Sequence, residues 1–234
     1  MCYFSGMEFI HVMNRGVDKR KVFMDSGDYA RFIHDLWEFN DTEQAPYRVD
    51  RRSAHASQMP DVRRQAFGMK KKKLVKIHFF CLMPNHYHLL VSPIDDDVTN
   101  LSLFMKKLNG GYSKYFNEKY ERSGALWQGK YKSVPIETDA HFLYIPYYIH
   151  FNALDLFAPE WRVQCPANPK KAEEFLKNYR WSSHLDYLGE KNFPSVTDRT
   201  FFLDYFGGEK GYAREFKKML GSFNTDEIAG VALE

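Results

Sequence analysis

His86 and His88 are separated by a single residue in the run HYHLLVSP. On an extended strand alternate side chains point to one face, so both imidazoles emerge on the same side, about 7 Å apart at their Cα atoms. Two imidazoles at that spacing form a metal-ligand pair, although imidazoles on a sheet can equally be hydrogen-bonded into the packing. A third donor comes later in the chain. Tyr148 and Asn152 stand four residues apart in a stretch of helical character and so share a helix face. If that face packs across the sheet beside the histidines, the Asn152 amide oxygen completes a three-ligand site. The Tyr148 phenol then points at a phosphate on the same ion. Two imidazoles and an amide oxygen suit Mn²⁺ or Mg²⁺ better than a sulfur-rich zinc site does.

The elements that must position these residues follow from periodicity. The stretch MEFIHVMNRG predicts a strand that ends in a turn at Asn14-Arg15-Gly16. A helix capped by Ser26 or Asp28 is expected next, with Tyr29, Phe32, Ile33, Leu36 and Trp37 on one side and an end near Asn40. Residues 41–74 are polar and aperiodic and hold two prolines, so they read as a basic insertion that interrupts one domain. LVKIHFFCLM and HYHLLVSP, joined by Pro84-Asn85, predict a tight antiparallel hairpin. A helix carrying Leu101, Phe104, Met105, Leu108, Tyr112, Tyr115 and Phe116 follows, weakened at Gly110-Gly111. LWQGKYKSVPIET supplies a strand, and Thr138 or Asp139 opens the helix that bears Tyr148, in which Pro146 is expected to force a kink or restart. The order β-α-β-β-α-β-α predicts an α+β, ferredoxin-like antiparallel sheet with helices on one face, over residues 1–190. Residues 191–234 form a C-terminal extension, helical around Tyr212 to Leu220, in which no chemistry is visible.

Composition bounds the rest. A chain of 234 residues with 44% hydrophobic residues, among them 20 Phe and 15 Tyr, can fill a sizeable core. No apolar run reaches membrane-spanning length and no leader is visible, so a cytoplasmic location is expected. Three widely spaced cysteines fit neither a disulfide framework nor a zinc ribbon. The net charge of +3 is small, but Arg63, Arg64, Lys70, Lys71, Lys72, Lys73 and Lys76 form a block without an acid. Such a block serves phosphate contact or is simply a solvated loop.

The site residues lie within motifs that resemble a known family, the single-tyrosine HUH transposases, and among them the REP-associated tyrosine transposases. MPNHYHLLV is similar to the family's His-hydrophobe-His strand and LWQGKYKS to its Trp-Gln-x-Arg-Phe strand. YIHFNA resembles its Tyr-Ile-His-x-Asn-Pro helix, with Ala153 in place of the proline, and YRWSSHLDYLG its closing Trp-Ser-Ser segment. The resemblance covers residues 7 to 190 apart from the insertion. It implies that His86, His88 and Asn152 are metal ligands and Tyr148 the nucleophile. It further implies that the enzyme cleaves and rejoins single-stranded or hairpin DNA through a 5′-phosphotyrosine link, as a monomer or homodimer. Lys106, Lys107, Lys114, Trp127, Gln128, Lys130 and Lys132 are then the residues expected to hold DNA by backbone tracking and base stacking, unless they form a solvated face over core aromatics. Two other readings compete: a DNA-binding protein of the same ancestry without chemistry, and a small-phosphoester metallohydrolase drawing ligands from Asp95 to Asp97.

Overall fold

The computed structural model describes residues 8–43 and 71–222. Its centre is a four-stranded antiparallel sheet in the order β2-β3-β1-β4, formed by β1 (Ile10–Arg15), β2 (Val75–Met83), β3 (His86–Pro93) and β4 (Lys132–Pro135). This is the ferredoxin-like arrangement expected from the element order. The two-residue turn between β2 and β3 is docked by the chain after β1: Val22 N–H donates to the Pro84 carbonyl and Gly16 N–H to the Asn85 carbonyl, each at 2.8 Å. The hairpin tip, where the paired histidines begin, is therefore held from both sides.

Alternation along the strands divides the molecule into two cores. Val12, Leu82, Tyr87, Leu89 and Val91 face α1 (Ser26–Glu38) and α2 (Val98–Lys119), whose apolar stripes cover that side. Phe79, Cys81, Met83 and Leu90 face α3 (Asp139–Phe151) together with α4 (Pro169–Asn178), α6 (Thr200–Phe206) and α7 (Glu209–Leu220). The expected single layer of helices holds for α1 and α2. The remaining helices cover the opposite face, because strands that bury apolar residues on both sides must be packed on both. The short α5 (His184–Tyr187) follows Trp181–Ser183, whose backbone bonds to Phe80 and Leu82 of β2.

Local chemistry corrects several boundaries. The cap of α1 is Asp25, with Asp28 returning the bond to the Asp25 backbone, so neither Ser26 nor Asp28 is the capping residue itself. Lys119 from the end of α2 pairs with both carboxylates, at 2.8 and 2.7 Å, and locks the two helices together. The α3 helix continues through Pro146 from its Thr138 cap and does not restart there; packing around most of its circumference compensates for the missing N–H. Of residues 41–74, 44–70 lie outside the described residues. The ends of this segment are joined, Thr42 N–H donating to the Lys72 carbonyl at 2.9 Å. Lys71 lies over the Trp37 ring and Lys72 pairs with Glu43.

The two glycines in α2 have different standing. A Cβ at Gly111 would overlap the ring of Phe39, so glycine there admits the ring, whereas Gly110 has open space around it. Gly110→Ala should therefore stabilise the fold by about 0.5–1 kcal/mol through helix propensity. Gly111→Ala should destabilise it by about 1 kcal/mol through overpacking. Urea unfolding of the two variants distinguishes them; equal shifts would show that Phe39 yields freely.

Candidate metal and nucleophile site

The face of the sheet toward α3 carries the site residues expected from the sequence. His86 and His88 point there from β3, and His11, Met13 and Arg15 reach the same face from β1, in a register that places Arg15 opposite His86 and Met13 opposite His88. The two β3 imidazoles lie with ring centroids 5.0 Å apart and planes nearly perpendicular. His86 Nδ1 is 2.6 Å from Asn85 Oδ1, and Asn85 is oriented by its amide N–H, which donates to the Lys19 carbonyl. An amide oxygen only accepts, so His86 carries its proton on Nδ1 and keeps the Nε2 lone pair. His88 Nδ1 is 2.9 Å from Nε2 of His11. Its own Nε2 is buried and meets no hydrogen-bond partner.

Across this face lies Tyr148, whose ring meets His88 and His11 edge-on at centroid distances of 5.7 and 5.8 Å. Asn152 follows one turn later; its amide N–H donates to the Tyr148 carbonyl, and its oxygen accepts from Arg162 Nη2 at 3.0 Å. Tyr147 turns away and packs against Phe206 and Phe216, while Tyr144 lies against the same core. The four residues read from spacing thus come together, with Tyr148 alone among the three tyrosines beside the histidines. The donor set fits a divalent ion: the Nε2 lone pair of His86, the Nε2 of His88 that meets no partner, and the amide oxygen of Asn152. Among the described residues no group of three or more His, Cys, Asp or Glu side chains is arranged to hold a metal, so the amide is essential to that fit.

Burial governs the electrostatics. It pushes the Tyr148 phenol up to about 12, while the charges of Arg162 and Arg15 and the hydrogen bond with Asn152 pull it the other way. It also holds His86 down to about 3 and His88 well below the ordinary imidazole range, so both stay neutral and able to ligate. Tyr148, His88 and Asn152 are fully buried, and Trp161 closes over the tyrosine ring at 6.0 Å.

The residues expected to hold DNA separate into two groups. Gln128, Lys130 and Lys132 are exposed on or beside the strand flanking β1, with Gln128 N–H bonded to the Arg15 carbonyl, next to the site. Lys106, Lys107 and Lys114 lie on α2, behind the other face; Lys107 bonds to the Asp41 carbonyl and Lys114 pairs with Glu118. Trp127 is a core residue, packed against Phe32, Tyr87 and Tyr112 with its indole N–H on the Asn109 carbonyl, so base stacking by this ring is withdrawn. Sequence reasoning missed His11, Arg15, Asp155 and Arg162. Of these, His11 had a signal: an imidazole alternating with Ile10 and Val12 in an otherwise apolar strand.

The model for the family described as "Transposase IS200 like" matches residues 48–152, from within the insertion to Asn152. Over that stretch, which is less than half of the chain, it is similar to the IS200-like transposase family. No curated protein matches the chain significantly. The solved structure of a REP-associated tyrosine transposase bound to a REP hairpin is similar to it at 13% identity and a TM-score of 0.44, over 85% of this chain and 92% of that one. Among the described residues no helix is long and apolar enough to cross a membrane.

Outside the site, His78, His150 and His184 are buried and held neutral. Burial lowers His78 to about 4 and His184 to about 3, and carries His150 well below its usual range. A folded-state pKa below the unfolded value near 6.5 leaves stability intact above about pH 6.5. It removes up to about 1.4 kcal/mol per imidazole per pH unit as pH falls toward the folded value. The protein should therefore lose its native circular dichroism between about pH 6 and 4, above the carboxylate range. A native spectrum retained at pH 4 would contradict this.

Proposed function

We propose that the protein cuts and rejoins single-stranded or hairpin DNA through a covalent 5′-phosphotyrosine at Tyr148, with Mg²⁺ or Mn²⁺ held by His86, His88 and Asn152. The supporting observation is that a helix brings Tyr148 edge-on to His88 and His11, with Asn152 one turn away, in a stretch that a transposase family model matches. A bound divalent ion would supply positive charge to a non-bridging oxygen of the scissile phosphate.

The chain's own residues do the positioning. Asn85 and His11 orient the two imidazoles, and the unbroken α3 sets the phenol and the amide in one register. Tyr148 Oη forms a bond to phosphorus as the bond from phosphorus to the DNA 3′-oxygen breaks; the phenol gives up its proton and the departing oxygen takes one from solvent. Because one ester replaces another, a 3′-hydroxyl on a second strand reverses the step and rejoins DNA. With the phenol protonated at neutral pH, its proton leaves as the new bond forms rather than beforehand. Gln128, Lys130 and Lys132 flank the site for backbone contact. The hydrolase reading loses support because Asp95 to Asp97 follow the far end of β3, about 20 Å of strand away from His88.

Tyr148→Phe should abolish the protein-linked product on a labelled single-stranded oligonucleotide while leaving stability and binding intact. Tyr147→Phe and Tyr144→Phe should retain it. Mass spectrometry of the trapped peptide identifies the attacking residue, and a nucleotide on Tyr144 would place the attack two turns from Asn152. Replacing both His86 and His88 by Ala should end divalent-ion dependence, and cutting at the parental rate would refute the ligand assignment.

His11 gives a subtler expectation. His11→Ala should weaken Mn²⁺ binding by roughly 10–100-fold in calorimetry, as loss of a partner to a ligand imidazole does. His11→Gln, which can still accept from His88 Nδ1–H, should restore most of it; parental affinity in the alanine variant would leave His11 a packing residue.

A further inference from the structure

Arg162 lies beyond the stretch matched by the family model, in the 3-10 turn Pro159–Arg162, yet its guanidinium reaches the site. It is gripped at three points. Nε and Nη2 donate to the two carboxylate oxygens of Asp155 at 2.9 and 2.7 Å, and the guanidinium carbon lies 4.7 Å from the centroid of the Trp161 ring. Nη2 also donates to Asn152 Oδ1 at 3.0 Å. Asp155 is itself oriented by the Trp161 indole N–H at 2.7 Å. Simple capping of the chain after α3 would use the Asp155 pair, but it does not require the guanidinium to bear on Asn152, the rim donor of the metal site. The side chains of Arg162 and Asp155 are 23% and 27% exposed, whereas Tyr148, His88 and Asn152 are buried. An entering phosphate therefore meets this cation at the site's edge.

We propose that Arg162, clamped by Asp155 and Trp161, is a catalytic residue that takes a non-bridging oxygen of the scissile phosphate beside the divalent ion. The proposal rests on the cleavage reading above and deepens it. Attack by Tyr148 concentrates negative charge on the non-bridging oxygens, and a guanidinium held beside them supplies a fixed positive charge. Its position is fixed before the substrate arrives, so little reorganisation is needed as the charge develops. The arrangement has a cost that makes it testable. A cation touching Asn152 opposes a divalent ion at the same amide, so the group that speeds chemistry should weaken metal binding in the absence of DNA.

The test uses the full chain and Arg162→Gln, with Mn²⁺ affinity measured by calorimetry without DNA and single-turnover adduct formation measured at saturating Mn²⁺. The expected pair of results has opposite signs: Mn²⁺ binds up to roughly tenfold tighter, and adduct forms roughly 100-fold more slowly. A residue that merely props Asn152 would weaken both, and that outcome overturns the proposal, as does an adduct rate within threefold of the parent. If Arg162→Gln fails to fold, Arg162→Lys keeps the charge but not the fork. It should bind Mn²⁺ as the parent does yet form adduct roughly tenfold more slowly; a parental rate overturns the proposal. If the parent forms no adduct, the cleavage reading fails by itself. Arg162 is then decided by the affinity of the Mn²⁺-loaded protein for a short single-stranded oligonucleotide, where a roughly tenfold loss on substitution supports the role and an unchanged affinity ends it.

Discussion

An imidazole buried against a sheet is stabilised when its ring nitrogens find partners, and among the described residues six buried imidazoles on one side of this sheet draw on neighbouring elements for them. Each unmade bond costs roughly 1–3 kcal/mol, so neighbouring elements are held wherever they can supply a donor or acceptor. His78 takes Ser92 and the Asp198 carbonyl, His86 takes Asn85, and His88 takes His11. His150 takes the Tyr212 hydroxyl and Ser183, and His184 shares that hydroxyl. These bonds join β1 to β3, the hairpin tip to its own strand, and the C-terminal helices to α3.

The last connection bears directly on the site. His150 lies between Tyr148 and Asn152 in sequence but faces away from the sheet histidines, into the layer formed by Ser183, His184, Tyr212 and Phe216. One helix is thus gripped on its far side by a polar network and on its near side by the sheet. The rotation of α3, and with it the aim of the phenol, is fixed by residues remote from any substrate. The Trp181–Ser183 segment completes the arrangement by bonding to the backbone of β2. The C-terminal third of the chain, silent as to chemistry in its sequence, holds Tyr148 in place.

What could be read from sequence was whatever depends on a local period. Alternation placed His86 and His88 together, the helical repeat put Tyr148 with Asn152, and the hairpin was evident in two apolar runs around Pro84-Asn85. Contacts between distant segments were illegible. His11 meets His88 across 77 positions, and Arg162 carries no periodic mark that links it to Asn152. Trp127 misled because an aromatic among lysines looks the same whether it stacks on bases or fills a core. Its short irregular segment offers no alternation to decide between them. At Pro146 a restart was expected, but the helix continues where packing surrounds it.

The bond between Thr42 and Lys72 closes a narrow neck at the base of the long excursion between α1 and β2. Such a neck makes the distance between the two chain ends independent of what lies beyond it. Each doubling of the enclosed length then costs only about 0.6 kcal/mol in closure entropy. The sheet is in this sense modular at that point. Different lengths and compositions of chain can be carried on the same two stems without altering the spacing of the imidazoles, so this is where related chains are freest to diverge while keeping the same site.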